Sequence, residues 1–504
     1  MKTWKRLTAF AVSMAMAAGL LAGCGGEKAA AKEEPKNIIT VSIDSDPEHL
    51  DESVSLSTTA WWASCPVNDY LLVFDDQMNL VNELAEEYSM KDELSFYFKL
   101  RKGVKFHNGR EVKAKDVAYS LERHLDPALG SALADSLACI ESIELLDDYS
   151  GIVHLSEPYA PFLSKLPKVA IVPEECADTL KTAPVGCGPF KFVSWEHDQK
   201  VTYEKFADYW QAGLPKADGI VFKVLPEYNS QHSALLTGET DILLWADNSD
   251  VSELEKDENV YIHEQPVLDA YYLAANCTAA PFDNVLVRQA ISLAVDRDAC
   301  IKAALDGKAA PIYAPVPNSS YYYDESLKSE KNIEEAKKLL AEAGYADGFT
   351  VSLVAPATAV EGQLCDLIQA QLKEIGITAE SEKQDVATFL DNVFSKKEFE
   401  LAICGDSGDA DPETLAFNYL YTDAGANICS YSNAEFDKLM NEGRTTYDKE
   451  LRKKAYTDAF MIAKEDAPMT WIAGGYLYSA VRKDVEGLVG YPTQKFSFTN
   501  VTRK

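Results

Sequence analysis

Between residues 349 and 403 the chain alternates strand-like runs with amphipathic helices, and this alternation limits its fold more than any other feature. Apolar or alternating runs at 349–354, 377–381 and 399–403 have the length and period of strands. Leu364, Leu367, Ile368, Leu372 and Ile375 recur at helical spacing between the first two, and Gly376 ends the stripe. Just upstream, Ile333, Ala336, Leu339, Leu340 and Ala343 form a second stripe, with Asn332 and Glu335 as a capping box and Gly344 at the C-terminal cap. Strands joined through helices give β-α-β units and a mainly parallel sheet, so the fold class is α/β. An earlier stretch has another character. Phe96, Phe98 and Leu100 alternate with Tyr97, Lys99 and Arg101 as in a half-buried strand, Asn108-Gly109 turns the chain, and Val117, Leu121 and Leu125 mark a helix stopped by Pro127.

With 504 residues, 47% hydrophobic and 25% charged, the chain has ordinary globular composition and the length for two or more cores. A net charge of −32 makes nucleic acid an unsuitable partner, because it repels phosphate. Lys2, Lys5 and Arg6 precede an apolar run over 7–21, and Leu21-Ala22-Gly23-Cys24 closes it, as in a secretory signal cut before a cysteine. The small-small-Cys ending resembles a bacterial lipoprotein box. It implies a signal peptide over 1–23, acylation of Cys24, a flexible Ala-, Lys- and Glu-rich tether over 24–36, and a protein held on the outer face of the membrane or in a periplasm. Ten cysteines are present, with no Cys-x-x-Cys and no histidine at ligand spacing, so no metal site or cofactor is expected. Cys404 and Cys429 are the pair singled out for a disulfide.

Phe96-Tyr97-Phe98-Lys99-Leu100-Arg101, Gly103-Val104-Lys105-Phe106-His107-Asn108-Gly109 and Ser120-Leu121-Glu122-Arg123 are followed in order by further blocks. These are Val185-Gly186-Cys187-Gly188-Pro189-Phe190, Gly238-Glu239-Thr240-Asp241-Ile242, Pro281-Phe282-Asp283, Glu335-Ala336-Lys337-Lys338-Leu339-Leu340 and Phe436-Asp437-Lys438-Leu439. Together they resemble the dipeptide- and oligopeptide-binding, family 5 extracellular solute receptors of bacterial ABC importers. The resemblance implies a two-lobed periplasmic-binding-protein-like fold with an extra subdomain in the first lobe. Lobe I would comprise 37–70, 181–274 and 480–504, the subdomain 71–180, and lobe II 275–479. It also implies a monomer that catalyses nothing, captures a peptide or peptide-like solute between the lobes and delivers it to permease subunits. Nickel-chelate, haem and oligosaccharide carriers share the fold and are the alternatives. A peptide-sensing signalling receptor and a secreted hydrolase are more distant ones.

Gly405-Asp406-Ser407-Gly408 spells the nucleophile loop of chymotrypsin-like proteases, but none of the seven histidines sits in a matching context. By the resemblance, this loop offers an aspartate to the ligand's ammonium; Asp406 is the first choice, with Asp409 and Asp411 competing. Trp61 and Trp62 are adjacent, so their rings point to different faces and one can line the cleft. Trp245, Asp247 and Trp471 are further candidates, and Gly186 and Gly188 would admit a backbone loop close to the ligand. Cys187 stands where the family carries threonine. The family's dipeptide receptors place a cation ahead of the helix that begins near Leu364, whereas Val360-Glu361-Gly362-Gln363 has none, which points to longer, amine-bearing or cationic ligands. His107 is expected to stabilise its turn.

Overall fold

Ile39, Val41 and Ile43 are fully buried in the strand Ile38–Ile43, which runs parallel to Gly219–Val224 on one side and to Ile242–Leu243 on the other. These strands begin one half of an eleven-stranded sheet. The structure, a computed structural model, describes residues 37–504 apart from Leu56, Asp76, Gln77 and Ser319. The expected signal peptide, Cys24 and tether lie outside the described residues. Among the described residues, no helix is long and apolar enough to cross a membrane.

Lys200–Lys205 and Phe190–Glu196 complete the first half by antiparallel pairing beyond Gly219–Val224. In the second half, Phe349–Pro356 pairs in parallel with Ile377–Gln384 and with Leu401–Ser407, as the strand and helix alternation predicts. The helix Ala359–Glu374 connects the first two of these strands and buries Leu364, Cys365, Ile368 and Leu372 against them. Parallel pairing stops at Val260–Ala275, which is antiparallel to Leu401–Ser407.

Two long strands, Val260–Ala275 and Met469–Arg482, cross from one half to the other. Residues 260–266 pair with 476–482 beside the first half, and 270–274 pair with 469–474 beside the second; the register shifts between Pro266 and Ala270. Val267 and Leu477 belong to the first core, while Ala270 and Tyr272 belong to the second. The molecule therefore has two lobes on one sheet, joined where the ladder is interrupted.

A separate four-stranded antiparallel sheet is built from Ala85–Asp92, Ser95–Leu100, Ser150–Leu155 and Ile140–Leu145. Phe96, Phe98 and Leu100 point inward against Val117 and Leu121 of the helix Ala114–Glu122.

Two local expectations change. Asn332 accepts from the Glu335 amide at 3.0 Å, but the Glu335 carboxylate turns to Lys338 at 3.2 Å, so the capping box is half made. Cys404 and Cys429 are not joined: all nine described cysteines are free, and Cys429 Sγ donates to the Pro468 carbonyl at 3.3 Å. Both thiols are fully buried in an apolar core, where a thiol packs as a small hydrophobe.

Candidate functional site

The interrupted ladder places Leu268 and Asp269 on the floor of a cleft of about 340 Å³ between the lobes. Both Asp269 carboxylate oxygens accept from Gln494 Nε2, at 3.0 and 3.1 Å, and Ser407 also bonds it. Burial raises the Asp269 carboxyl above the ordinary range, and Asp406 adds to the rise. Gln494 adopts φ +61°, a left-handed conformation that costs a non-glycine residue energy, and so its amide reaches the floor.

Trp61 and Glu52 form the lobe I wall. The helix Thr58–Ser64 starts at Ser57, whose hydroxyl accepts from the Ala60 amide, and it carries Trp61 to the cleft. Trp61 Nε1 donates to Glu52 at 2.6 Å, with the Tyr70 hydroxyl at 2.6 Å and Asn68 Nδ2 at 2.8 Å on the same carboxylate. His124, Leu133 and Lys168 face them from the subdomain side, and Ser407, Gly408 and Asp409 from lobe II.

The three loop aspartates have separate fates. Asp409 lines the cleft but is held by Lys165 at 2.8 Å and Lys168 at 3.0 Å, and its side chain is 5% exposed. Burial alone would raise its carboxyl, yet the two ammonium groups outweigh that and hold it at about 2. Asp411 is buried against Arg452 at 2.5 Å, away from this cleft. Asp406 accepts from the Tyr272 hydroxyl at 2.7 Å and bonds Tyr419; burial dominates and raises it. It lies one residue before Ser407, half-buried, with Glu361 close by across Gly405.

The remaining candidates disperse. Trp62 is buried in lobe I, donating to the Gln494 carbonyl at 2.8 Å, and Trp245 leans on it from an exposed position, ring centroids 6.2 Å apart. Asp247, also exposed, precedes the helix Asn248–Leu254, and its amide meets the Tyr228 hydroxyl. Trp471 is buried on Tyr272 with centroids 5.0 Å apart. Gly186 and Gly188 admit the backbone of Val67 and Asn68: a Cβ on either would lie 2.2 or 2.6 Å from it. Cys187 is fully buried in the subdomain core. His107 holds the Gly188 carbonyl at 2.9 Å, and burial lowers its ring to about 4. A cation does approach the start of the helix Ala359–Glu374: Lys383 passes over Gly362, paired to Asp366 at 2.8 Å.

Asp269, Glu52, Lys168 and Gln494 escape sequence reasoning. Asp269 alone carries a signal, a carboxylate between Leu268 and Ala270 in the otherwise apolar run 267–275. The cleft thus offers hydrogen-bonded carboxylates on a floor and one wall, an indole, and walls from different lobes. Among the described residues, no group of three or more His, Cys, Asp or Glu is placed to hold a metal ion.

Residues 79–427 match the model of the bacterial extracellular solute-binding proteins, family 5. The glutathione-binding protein GsiB of Pectobacterium atrosepticum is 31% identical over 445 residues, covering 85% of this chain and 87% of that protein. The heme-binding protein A of Haemophilus influenzae is 31% identical over 457 residues, covering 83% of each. The ABC transporter-associated periplasmic binding protein DppA of Helicobacter pylori, solved with the peptide STSA, superposes with a TM-score of 0.72 at 29% identity, covering 93% of this chain and 98% of that one.

Proposed function

Because the chain belongs to the bacterial extracellular solute-binding proteins of family 5, the solute-binding components of ABC importers, we propose that it captures peptides or peptide-like solutes between its lobes and passes them to membrane permease subunits. The observation that carries the reading is the cleft floor. Asp269 is oriented by Gln494 and Ser407 at the join of the lobes, within reach of both walls, where a ligand ammonium would find a fixed carboxylate. An extended peptide can then be held through its main chain, with side chains beside Trp61 and in hydrated pockets.

Closure on this reading is a hinge motion about 266–270 and 473–476, with 71–180 moving as a subdomain. The ligand drives it only through tighter binding to the closed form. Binding and release make and break no covalent bond, and Ser407 serves to hold Asp269. The protein works as a monomer tethered by lipid on Cys24. Cys24→Ser should abolish detergent-phase partitioning while leaving solute affinity unchanged; equal partitioning of both forms would remove the anchor from the proposal.

A thermal-shift panel of peptides, haem, nickel chelates and oligosaccharides tests the solute. A peptide at about 100 times its dissociation constant should stabilise the native state by about 2.7 kcal/mol. A response confined to haem, metal chelates or sugars would overturn the peptide reading.

A further inference from the structure

Behind Trp61 lies a second, small cavity of about 80 Å³, bounded by Tyr70, Phe74, Glu83, Lys495 and Phe498. Trp61, Lys168 and Thr493 line both it and the interlobe cleft, so the two spaces adjoin across the indole. Lys495 Nζ is shielded from solvent, has no hydrogen-bond partner and stands over the Tyr70 ring, 2.9 Å from its centroid. An ammonium group has three N–H donors and no acceptor. The π-face answers part of its charge but none of its directional demand.

The carboxylates around Lys495 are engaged elsewhere. Glu52 accepts from Trp61, Asn68 and Tyr70. Asp69 accepts from Tyr209 at 3.3 Å and Trp210 at 2.7 Å, and Glu83 from the Tyr70 amide at 2.7 Å. Burial raises Glu83 to about 7 and Asp69 well above the ordinary range, which lessens the negative charge that would repel an incoming anion; it also lowers the Lys495 ammonium, against which Glu52 and Glu83 act. The unmet need of this cavity is for an acceptor.

We propose that Lys495 anchors a carboxylate of the captured solute, its C-terminus or an acidic side chain, in the cavity behind Trp61. This rests on the peptide reading and deepens it. An ammonium at the cleft floor and a carboxylate at Lys495 would fix both ends of a solute through charges that lie outside the Val360-Glu361-Gly362-Gln363 stretch. Gln494 and Lys495 are adjacent, so one segment serves both ends: Gln494 aims Asp269, and Lys495 takes the acid.

Calorimetry with a mixed tri- to hexapeptide library, as free acids and as C-terminal amides, tests the assignment on wild type and Lys495→Met. Wild type should prefer the acids by at least about tenfold, the scale of one charge-assisted hydrogen bond. Lys495→Met should lose that preference while binding the amides within about twofold of wild type. Equal binding of acids and amides by wild type, or a preference that survives in the variant, would overturn the proposal. Should no peptide of either form bind, the peptide reading falls, and saturation-transfer NMR with N-acetylglycine and its amide decides the subsite. A signal from the acid alone that disappears in Lys495→Met supports it, and equal or absent signals overturn it.

Discussion

Arg452 reaches Asp411 with one guanidinium nitrogen and the Tyr322 hydroxyl with another, in a site where the aspartate side chain is 2% exposed. Deleting one member of such a pair leaves a buried charge without its partner. Arg452→Met should therefore cost about 3–5 kcal/mol in urea unfolding, and Arg452→Met with Asp411→Leu should recover much of it. His107 and His124 set the response to mild acid. Burial is the main cause that lowers each ring from 6.5 to about 4, with Gly188 opposing it at His107 and Arg123 reinforcing it at His124. Their folded-state values lie below the unfolded ones, so between pH 6.5 and 4 the unfolded chain binds more protons and stability falls with pH. By pH 5 each should have removed up to about 2 kcal/mol. Urea titrations at pH 7.5 and 5 check this: His107→Gln should flatten the dependence, and an unchanged slope would show that its ring charges freely in the fold. Asp409 acts in a lower window. Its carboxyl is depressed to about 2, so its contribution persists above the unfolded value near 3.8 and disappears as pH falls through 2.

At the scale of elements, the lobe II strands and helices are legible because apolar period and caps are local signals. Gly344 and Gly376 take φ +89° and +91° where the helices end, as the stripes imply. Gly348 is another matter, since its role depends on a neighbour 28 positions on. It has φ +76°, and an added Cβ would lie 1.9 Å from the Gly376 carbonyl oxygen, so two turns pass in contact at the entry to two parallel strands. Gly348→Ala should cost about 3 kcal/mol or more, whereas Gly103→Ala, with equal strain but open space, should cost about 1 kcal/mol. Comparable losses would mean the crossing relaxes. The interrupted ladder at Pro266–Ala270 was not legible: an aspartate inside the apolar run 267–275 reads locally as a solvent-facing position, and only pairing with two lobes makes it a floor.

Over the whole molecule, the two-lobed plan was legible as ordered blocks, while the cleft chemistry was not, because its partners are distant in sequence. Asp409 meets lysines 244 and 241 positions away, and Asp411 meets an arginine 41 positions away, so three loop carboxylates that look alike in sequence become a tie, a buried pair and a tyrosine-bonded acid. The tie joins the subdomain to lobe II, next to contacts of Tyr159 with Glu413 and of the Ala160 amide with the Arg444 carbonyl. Asp409→Ala should therefore broaden apo scattering profiles toward larger dimensions; an unchanged radius of gyration would show that those neighbouring contacts hold the lobes unaided. The unpaired thiols have a different consequence. Cys65 lies in the lobe I core, Cys139 and Cys187 in the subdomain core, Cys300 and Cys365 on one face of lobe II, and Cys404 and Cys429 on the other. Seven buried sulfurs thus sample four packing regions, and an alkylating reagent reaches each only when its own region opens. Pulse labelling read by mass spectrometry would then resolve the breathing of each core separately, with partly exposed Cys176 as the internal reference. The chain carries its own set of opening clocks, one or two to a core, with no probe to be engineered.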